Sequence, residues 1–412
     1  MASQIDIPTA RARILAVMAI IPRATDCVHT VPVAEAMGHC LAWSIVAPID
    51  VPARDVSAMD GYAIAVPDEP EQVSLREYPV VGRSLAGHPY LDELMPGEAV
   101  EIATGGWLPA TANSVVPFEQ CQREGDSVRL EVPLSRGQHL RQQGETFAQG
   151  SQVLGAGTRL AWHHQAVLAT LGISTVAIAR PLRVAVFSSG DELWPSTGAG
   201  QPQHHDANRP LLLALLQQWG HAAIDGGVLP DDTHAISTRL TQMAREVDVI
   251  VTSGGVSRGS HDDIRHALEH HTPMDVWQLA HKPGRAFLFG HVNECVIFGL
   301  PGNPLATLAC AVQLMLPGLD ALAGHQPQDH WQQARLATPV TGRVGRSELL
   351  LGRHWQDQQG QQWLAPLPVQ NSHRVDMLVQ ATCLIELDEH SGALAAGDCL
   401  AYFPLVAAGV AS

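Results

Sequence analysis

Residues 182–192 read Leu182-Arg183-Val184-Ala185-Val186-Phe187-Ser188-Ser189-Gly190-Asp191-Glu192. An apolar run broken only by Arg183 closes on small polar residues and a glycine. That pattern marks a strand buried on both faces and ended by a turn. Outward from it, 209–219 and 233–246 are helical, and 222–228 and 247–252 read as strands. Residues 262–270 continue as a helix, 276–279 and 294–298 as strands, and 305–315 as a helix. Strands alternating with helices predict right-handed crossovers and a central three-layer α/β domain with a mostly parallel sheet. Ligands of such sheets bind beyond the carboxyl ends of the strands.

On either side of this block the pattern changes. Short apolar runs at 78–81, 99–103, 114–118 and 128–132, broken by proline and glycine, predict a β-rich unit over 48–147. A helix opens near Pro8 and a shorter one lies near 34–37; 154–171 turns helical toward its end, and 175–178 is a strand. After 327 the chain is β-like again, which predicts a C-terminal β-barrel-like domain. The expected division is 1–47 with 148–180, an inserted β-rich domain 48–147, the α/β domain 181–326 and the C-terminal domain 327–412.

Composition narrows the function. The 412 residues carry a net charge of −16, which argues against a nucleic-acid or anionic-membrane partner. No run of 18 apolar residues occurs, and no secretory pattern opens the chain, so a cytoplasmic protein is expected. Seven scattered cysteines without C-x-x-C fit reduced thiols. The histidine pairs 163–164, 204–205 and 270–271 suit solvated or capping positions better than metal ligation. Of 25 basic residues one is a lysine, Lys282. Lysine is a compact point charge where arginine is a planar fork, so a lone survivor points to a place where arginine will not serve.

The densest chemistry follows the strands of the α/β block. Ser189-Gly190-Asp191-Glu192 comes after the first, Pro230-Asp231-Asp232-Thr233 precedes a helix, and Ser253-Gly254-Gly255-Val256-Ser257-Arg258-Gly259 runs into Asp262-Asp263. Glycines let backbone N–H groups approach phosphate oxygens, and a helix N-terminus favours an anion. Carboxylates at the same edge would repel that phosphate unless a divalent cation such as Mg2+ lies between. Asp231, Asp232, Asp262 and Asp263 also suit helix caps. Two further clusters are His281-Lys282-Pro283-Gly284-Arg285 and Leu300-Pro301-Gly302-Asn303-Pro304, where Asn303 suits an N-cap and Pro304 the first helical position. The β-rich block adds Ser57-Ala58-Met59-Asp60-Gly61-Tyr62-Ala63, Ala103-Thr104-Gly105-Gly106 and Arg141-Gln142-Gln143-Gly144-Glu145-Thr146.

Together, in this order, these strings resemble the MoeA-type molybdopterin molybdenumtransferases, the family of the gephyrin E domain. The resemblance runs from about Ile14 to Pro404. It implies an enzyme that inserts molybdate into adenylylated molybdopterin, with Mg2+-dependent release of AMP. It also implies a homodimer whose active site is shared between subunits, the 1–47/148–180 part serving dimerisation and the β-rich part acting as a lid, with a molybdopterin adenylyltransferase as a candidate partner. Carried over by position, Glu192, Asp231 and Asp262 become the metal and anhydride carboxylates. Lys282 neutralises the oxyanion, and Asp60, Thr104 and Arg141 come from the opposing subunit. Ser189, Gly190, Ser253, Gly254, Gly255, Ser257, Gly259, Arg285, Pro301, Gly302, Asn303 and Ser372 fall at binding positions.

Several positions depart from the family. Thr146 stands for an acid, Gln278 for a lysine, Arg285-Ala286 for Lys-Pro, Ala306 for a hydroxyl residue, Leu351 for an arginine and Asn371 for a glycine. Losing cations should weaken a dianion, at roughly 1.5–3 kcal/mol per charge-assisted hydrogen bond. The alternatives are therefore a divergent paralogue that binds the pterin nucleotide or a biosynthetic partner without efficient insertion, or insertion of a related metal such as tungstate.

Overall fold

The computed structural model describes residues 4–21, 28–66, 77–193, 205–256, 263–269, 274–325 and 330–405. They form two compact units: Thr30–Ile178, and Met1–His29 together with Ala179–Ser412.

The larger unit is built on a seven-stranded sheet. Its order is Gln4–Ile5, Asp275–Leu279, Ala286–Val292, Cys295–Leu300, Val249–Ser253, Arg183–Ser189, Ala222–Leu229. Four of its pairings are parallel, and Ala286–Val292 alone runs against its neighbours. The Arg183–Ser189 strand shows why both faces are covered. Val184 and Val186 join a core with Ile14, Leu212 and Leu316 on one side. Ala185 and Phe187 join Ile236, Leu240 and Ile264 on the other. Alternation of period two, apolar at every step, is what a strand sandwiched between helices requires.

The helix from Pro304 runs on to Ala323, with a π-helical segment at Ala311–Met315. It is the one described helix long and apolar enough to cross a membrane by length and composition, and 83% of its most apolar 18-residue stretch is buried. Ile14 and Met18 of the Ile7–Ile20 helix pack into the same core. Within the π-helical segment the fully buried Gln313 is satisfied by Arg11 and by Glu386 of the C-terminal domain.

That domain is a closed five-stranded barrel. Ser347–Gln356 pairs with Gln362–Pro366, then Gln332–Leu336, Cys399–Pro404 and Cys383–Leu387, which pairs back to Ser347–Gln356. Leu350 points into the barrel core, while Leu349 and Leu351 join the core of the α/β layer. The short His281–Lys282 strand pairs in parallel with Ser347 and Glu348, so the loop beyond Leu279 is held by the barrel.

The smaller unit carries a six-stranded sheet ordered Ser114–Pro117, Gly61–Ile64, Ala99–Ile102, Glu77–Ser84, Ser127–Leu130, Cys121–Glu124. A separate core, Val33, Leu41, Leu160, Leu168 and Val176, surrounds the Trp162–Thr170 helix. Gly61 has a structural reason: a Cβ there would lie 2.0 Å from the Val116 carbonyl oxygen of the next strand.

Candidate functional site

Parallel register places four strand ends in a row. Ser189 pairs with Leu229, Ser188 with Ser253, and Ser253 with Leu300. The loops expected to carry chemistry therefore leave one sheet edge side by side. Gly254 and Gly255 hold φ of +91° and +65°, and a Cβ on Gly254 would sit 2.7 Å from the Ser189 oxygen. Glycine is needed there to turn the chain against its neighbour. The Gly254 N–H donates to the Leu300 oxygen (3.1 Å), so that donor is used inside the fold. Buried Ser253 accepts from Asn208 (2.7 Å) and donates to the Pro301 oxygen (3.2 Å), and Asn208 also donates to the Gly302 oxygen (2.7 Å). Asn208 thus ties three of these loops together.

The aspartates separate by role. Asp232 caps the Thr233–Met243 helix through the Ala235 N–H (2.7 Å). Asp263 opens the next helix and accepts from the Thr233 hydroxyl (3.4 Å). Asp231 does neither. Its N–H donates to Asp191 Oδ1 (3.1 Å), and its Oδ2 accepts from the Asp191 N–H (3.4 Å). Two exposed carboxylates thus meet at the edge where the Gly190 and Pro230 loops converge. Glu192 stands in the Asp191–Leu193 turn with its side chain outside the described residues, as are Ser257, Gly259 and Asp262. Among the described residues no group of three His, Cys, Asp or Glu side chains is placed to hold a metal.

Further along the edge lies a cavity of about 550 Å³. It brings together Lys282, Arg285, Pro301, Asn303 and Ser372, five positions singled out in the sequence, with Ala306. Lys282 and Arg285 are exposed, and among the described residues neither forms an ion pair. Asn303 occupies the N-cap position without capping through its side chain. Its amide instead donates to Ser372 Oγ (3.2 Å), and the Leu305 N–H reaches the Ser372 oxygen (3.2 Å). The capping role expected of Asn303 is corrected accordingly: the side chain faces the cavity-lining Ser372.

Two cavity residues carry no sequence signal of their own, Arg346 and Gln370, while Asn371 and His373 flank Ser372. The barrel supplies them, and no motif spacing links them to Lys282. No carboxylate is among the described lining residues. Gln278 does not line the cavity, and Leu351, 3% exposed, is packed into the core. Arg346, not residue 351, stands in the cavity wall.

In the smaller unit the Thr104 N–H donates to Asp60 Oδ1 (2.6 Å), which holds that carboxyl below its ordinary pKa. Ser57 exchanges backbone bonds with the Gly105–Gly106 turn, and Arg141 pairs with Val56 beside it. The three segments that carry Asp60, Thr104 and Arg141 are thus neighbours on one face.

Six cysteines are free thiols among the described residues. His164 accepts the Ala161 N–H (3.0 Å), a helix cap.

Comparison with known proteins agrees with this architecture. Residues 5–172 match the MoeA N-terminal region (domain I and II), 185–321 a probable molybdopterin binding domain, and 333–405 the MoeA C-terminal region (domain IV). The chain is 34% identical over 381 residues to the molybdopterin molybdenumtransferase of Haemophilus influenzae, covering 90% of this chain and 92% of that protein. It is 30% identical to that of Synechococcus elongatus, over 93% of this chain and 95% of the relative. The molybdopterin biosynthesis MoeA protein of Pyrococcus horikoshii superposes with a TM-score of 0.76 at 25% identity, covering 97% of this chain and 99% of that one. Sheet edge, cavity and near full-length similarity together make this chain a member of the molybdopterin molybdenumtransferase (MoeA) family, enzymes of molybdenum cofactor biosynthesis.

Proposed function

We propose that this chain inserts molybdate into adenylylated molybdopterin, with Mg2+-dependent release of AMP. The observation that carries the reading is the cavity lined by Lys282, Arg285 and Arg346 and, among the described residues, by no carboxylate. In a chain of net charge −16, such a gathering of cations suits a dianion. Arginine and lysine hold oxyanions by charge-assisted hydrogen bonds, and Ser372 and Asn303 add neutral donors.

The second half of the substrate would lie along the sheet edge. Asp231 and Asp191 meet there beside glycine turns. Oxygen donors alone suit Mg2+, and Asp231, Glu192 and Asp262, the carboxylates that the family resemblance assigns, would hold it. When bound, Mg2+ offsets charge on phosphoryl oxygens. The protein's own part is to position the anhydride against the loop turns and the oxyanion in the cavity.

The reading includes a cytoplasmic homodimer in which Asp60, Thr104 and Arg141 of a second copy complete the site. Their assembly on one face of the smaller unit supports it. One observation favours a divergent binder: Ala306 lines the cavity without a hydroxyl.

The deciding experiment gives the purified chain adenylylated molybdopterin, Mg2+ and molybdate, then measures AMP and active cofactor. AMP with cofactor is expected. AMP without cofactor sinks insertion, and neither product with retained pterin binding establishes the binder.

A further inference from the structure

His281 stands in the wall of the cavity and has had no part so far. Its side chain is 3% exposed, and among the described residues both ring nitrogens are buried without a hydrogen-bond partner. Unmade hydrogen bonds are rare in folded proteins and call for a reason. The ring lies under the Pro283–Gly284 turn, where a Cβ on Gly284 would be 3.7 Å from Nδ1 and 2.6 Å from Cys310 Sγ. Steric room there is already spent, so the ring is fixed against the turn that presents Lys282.

We propose that His281 takes up a proton when an oxyanion enters this cavity, so that a buried imidazole sets oxyanion affinity through pH. The inference rests on reading the cavity as the oxyanion site. The charged and titratable groups around the ring are Lys282 and Arg285 on its own loop and Arg346 and Glu348 from the barrel. Cys310 of the core helix and His373 across the cavity complete the set. Arg346 and Glu348 pair with each other. The Cys310 thiol is pushed up to about 12 by burial and stays neutral. In the free protein burial holds the His281 pKa down to about 4, with the Pro283–Gly284 backbone and Glu348 pulling the other way. The ring is therefore neutral at neutral pH. A dianion beside it favours the charged form and raises that pKa. The proton adds a cation to the cavity beside Lys282 and Arg285.

Linkage fixes the sign. Between the free-state and bound-state pKa values, affinity should rise by up to about tenfold for each pH unit of acidification, and level off above the bound-state value. The test is calorimetry of sodium molybdate binding at pH 6 and pH 8, each in two buffers of different ionisation heat, with sulfate as a second dianion. Proton uptake at pH 6, none at pH 8, loss of uptake in His281→Gln and its retention in His373→Gln are the expected results. Binding at pH 6 without uptake, uptake that persists in His281→Gln, or uptake lost in His373→Gln overturns the proposal. Among the described residues these two histidines are the ones lining the cavity, so His373→Gln decides even if His281→Gln does not fold. No binding of either anion at any pH overturns the oxyanion-site reading itself, and the proposal with it.

Discussion

Two stretches of one sheet edge differ in the sign of their charge. Where the Gly190 and Pro230 loops converge, the carboxylates of Asp191 and Asp231 each accept the other's backbone N–H and stay exposed. Beyond Leu279 and Leu300, three cations surround a cavity without a carboxylate among its described lining residues. The Pro301–Asn303 turn links the cavity to the neighbouring Ser253 strand end, since Asn208 bonds both Ser253 and Gly302 and Asn303 bonds Ser372. The difference teaches a division of labour. A phosphate anhydride at the first stretch needs a cation brought in with it, while an oxyanion at the second meets fixed positive charge directly. The two binding events should therefore be separable by mutation.

Asp231→Asn should have the largest effect. Removing a carboxylate from the acidic stretch should lower AMP release by at least about a hundredfold, since a metal offsets several kcal/mol of phosphoryl charge. Molybdate binding by calorimetry should stay within about twofold, and a joint loss would break the comparison. Lys282→Ala is the mirror image. One charge-assisted hydrogen bond, roughly 1.5–3 kcal/mol, makes molybdate binding about 10- to 150-fold weaker. Lys282 is exposed and forms no ion pair among the described residues, so the melting temperature should hold. Unchanged affinity would remove Lys282 from the oxyanion site.

The layered fold was legible because burial on both faces leaves a mark that local sequence carries, as Val184 to Phe187 show. The antiparallel Ala286–Val292 strand was not. It is a short apolar run after the Lys282 cluster, and its partner across the Asn293 turn was the segment that read clearly. The Lys282 and Asn303 clusters were legible as loops that follow strands. Their convergence with Arg346, Gln370 and His373 was not, because the barrel closes onto them from residues far along the chain. Asp231 and Asp232 looked alike in sequence, and hydrogen bonding alone separates the cap from the acid at the edge.

That separation gives a smaller test. Asp232→Ala removes the Ala235 cap and should cost about 1 kcal/mol of stability, read as a lower urea midpoint, with AMP release little changed. A loss of activity as deep as that of Asp231→Asn would place both acids in the site.

The smallest expected effect is at Ala306, 4% exposed in the first turn of the core helix and part of the cavity lining. Ala306→Ser restores a hydroxyl at the cationic stretch. A neutral hydrogen bond to the oxyanion contributes about 0.5–1.5 kcal/mol. A helical serine also bonds back to the carbonyl four residues earlier, here Gly302, and that competition lowers the gain. Molybdate should bind about two- to fivefold tighter, while AMP release at saturating molybdate stays as it was. Measuring the same change with Lys282→Ala sharpens the result. If the two groups contact one anion, the serine's gain should differ between the backgrounds by more than about 0.5 kcal/mol, whereas independent sites would add. A strictly additive pair would mean that Ala306 and Lys282 line the same cavity without meeting the same ligand.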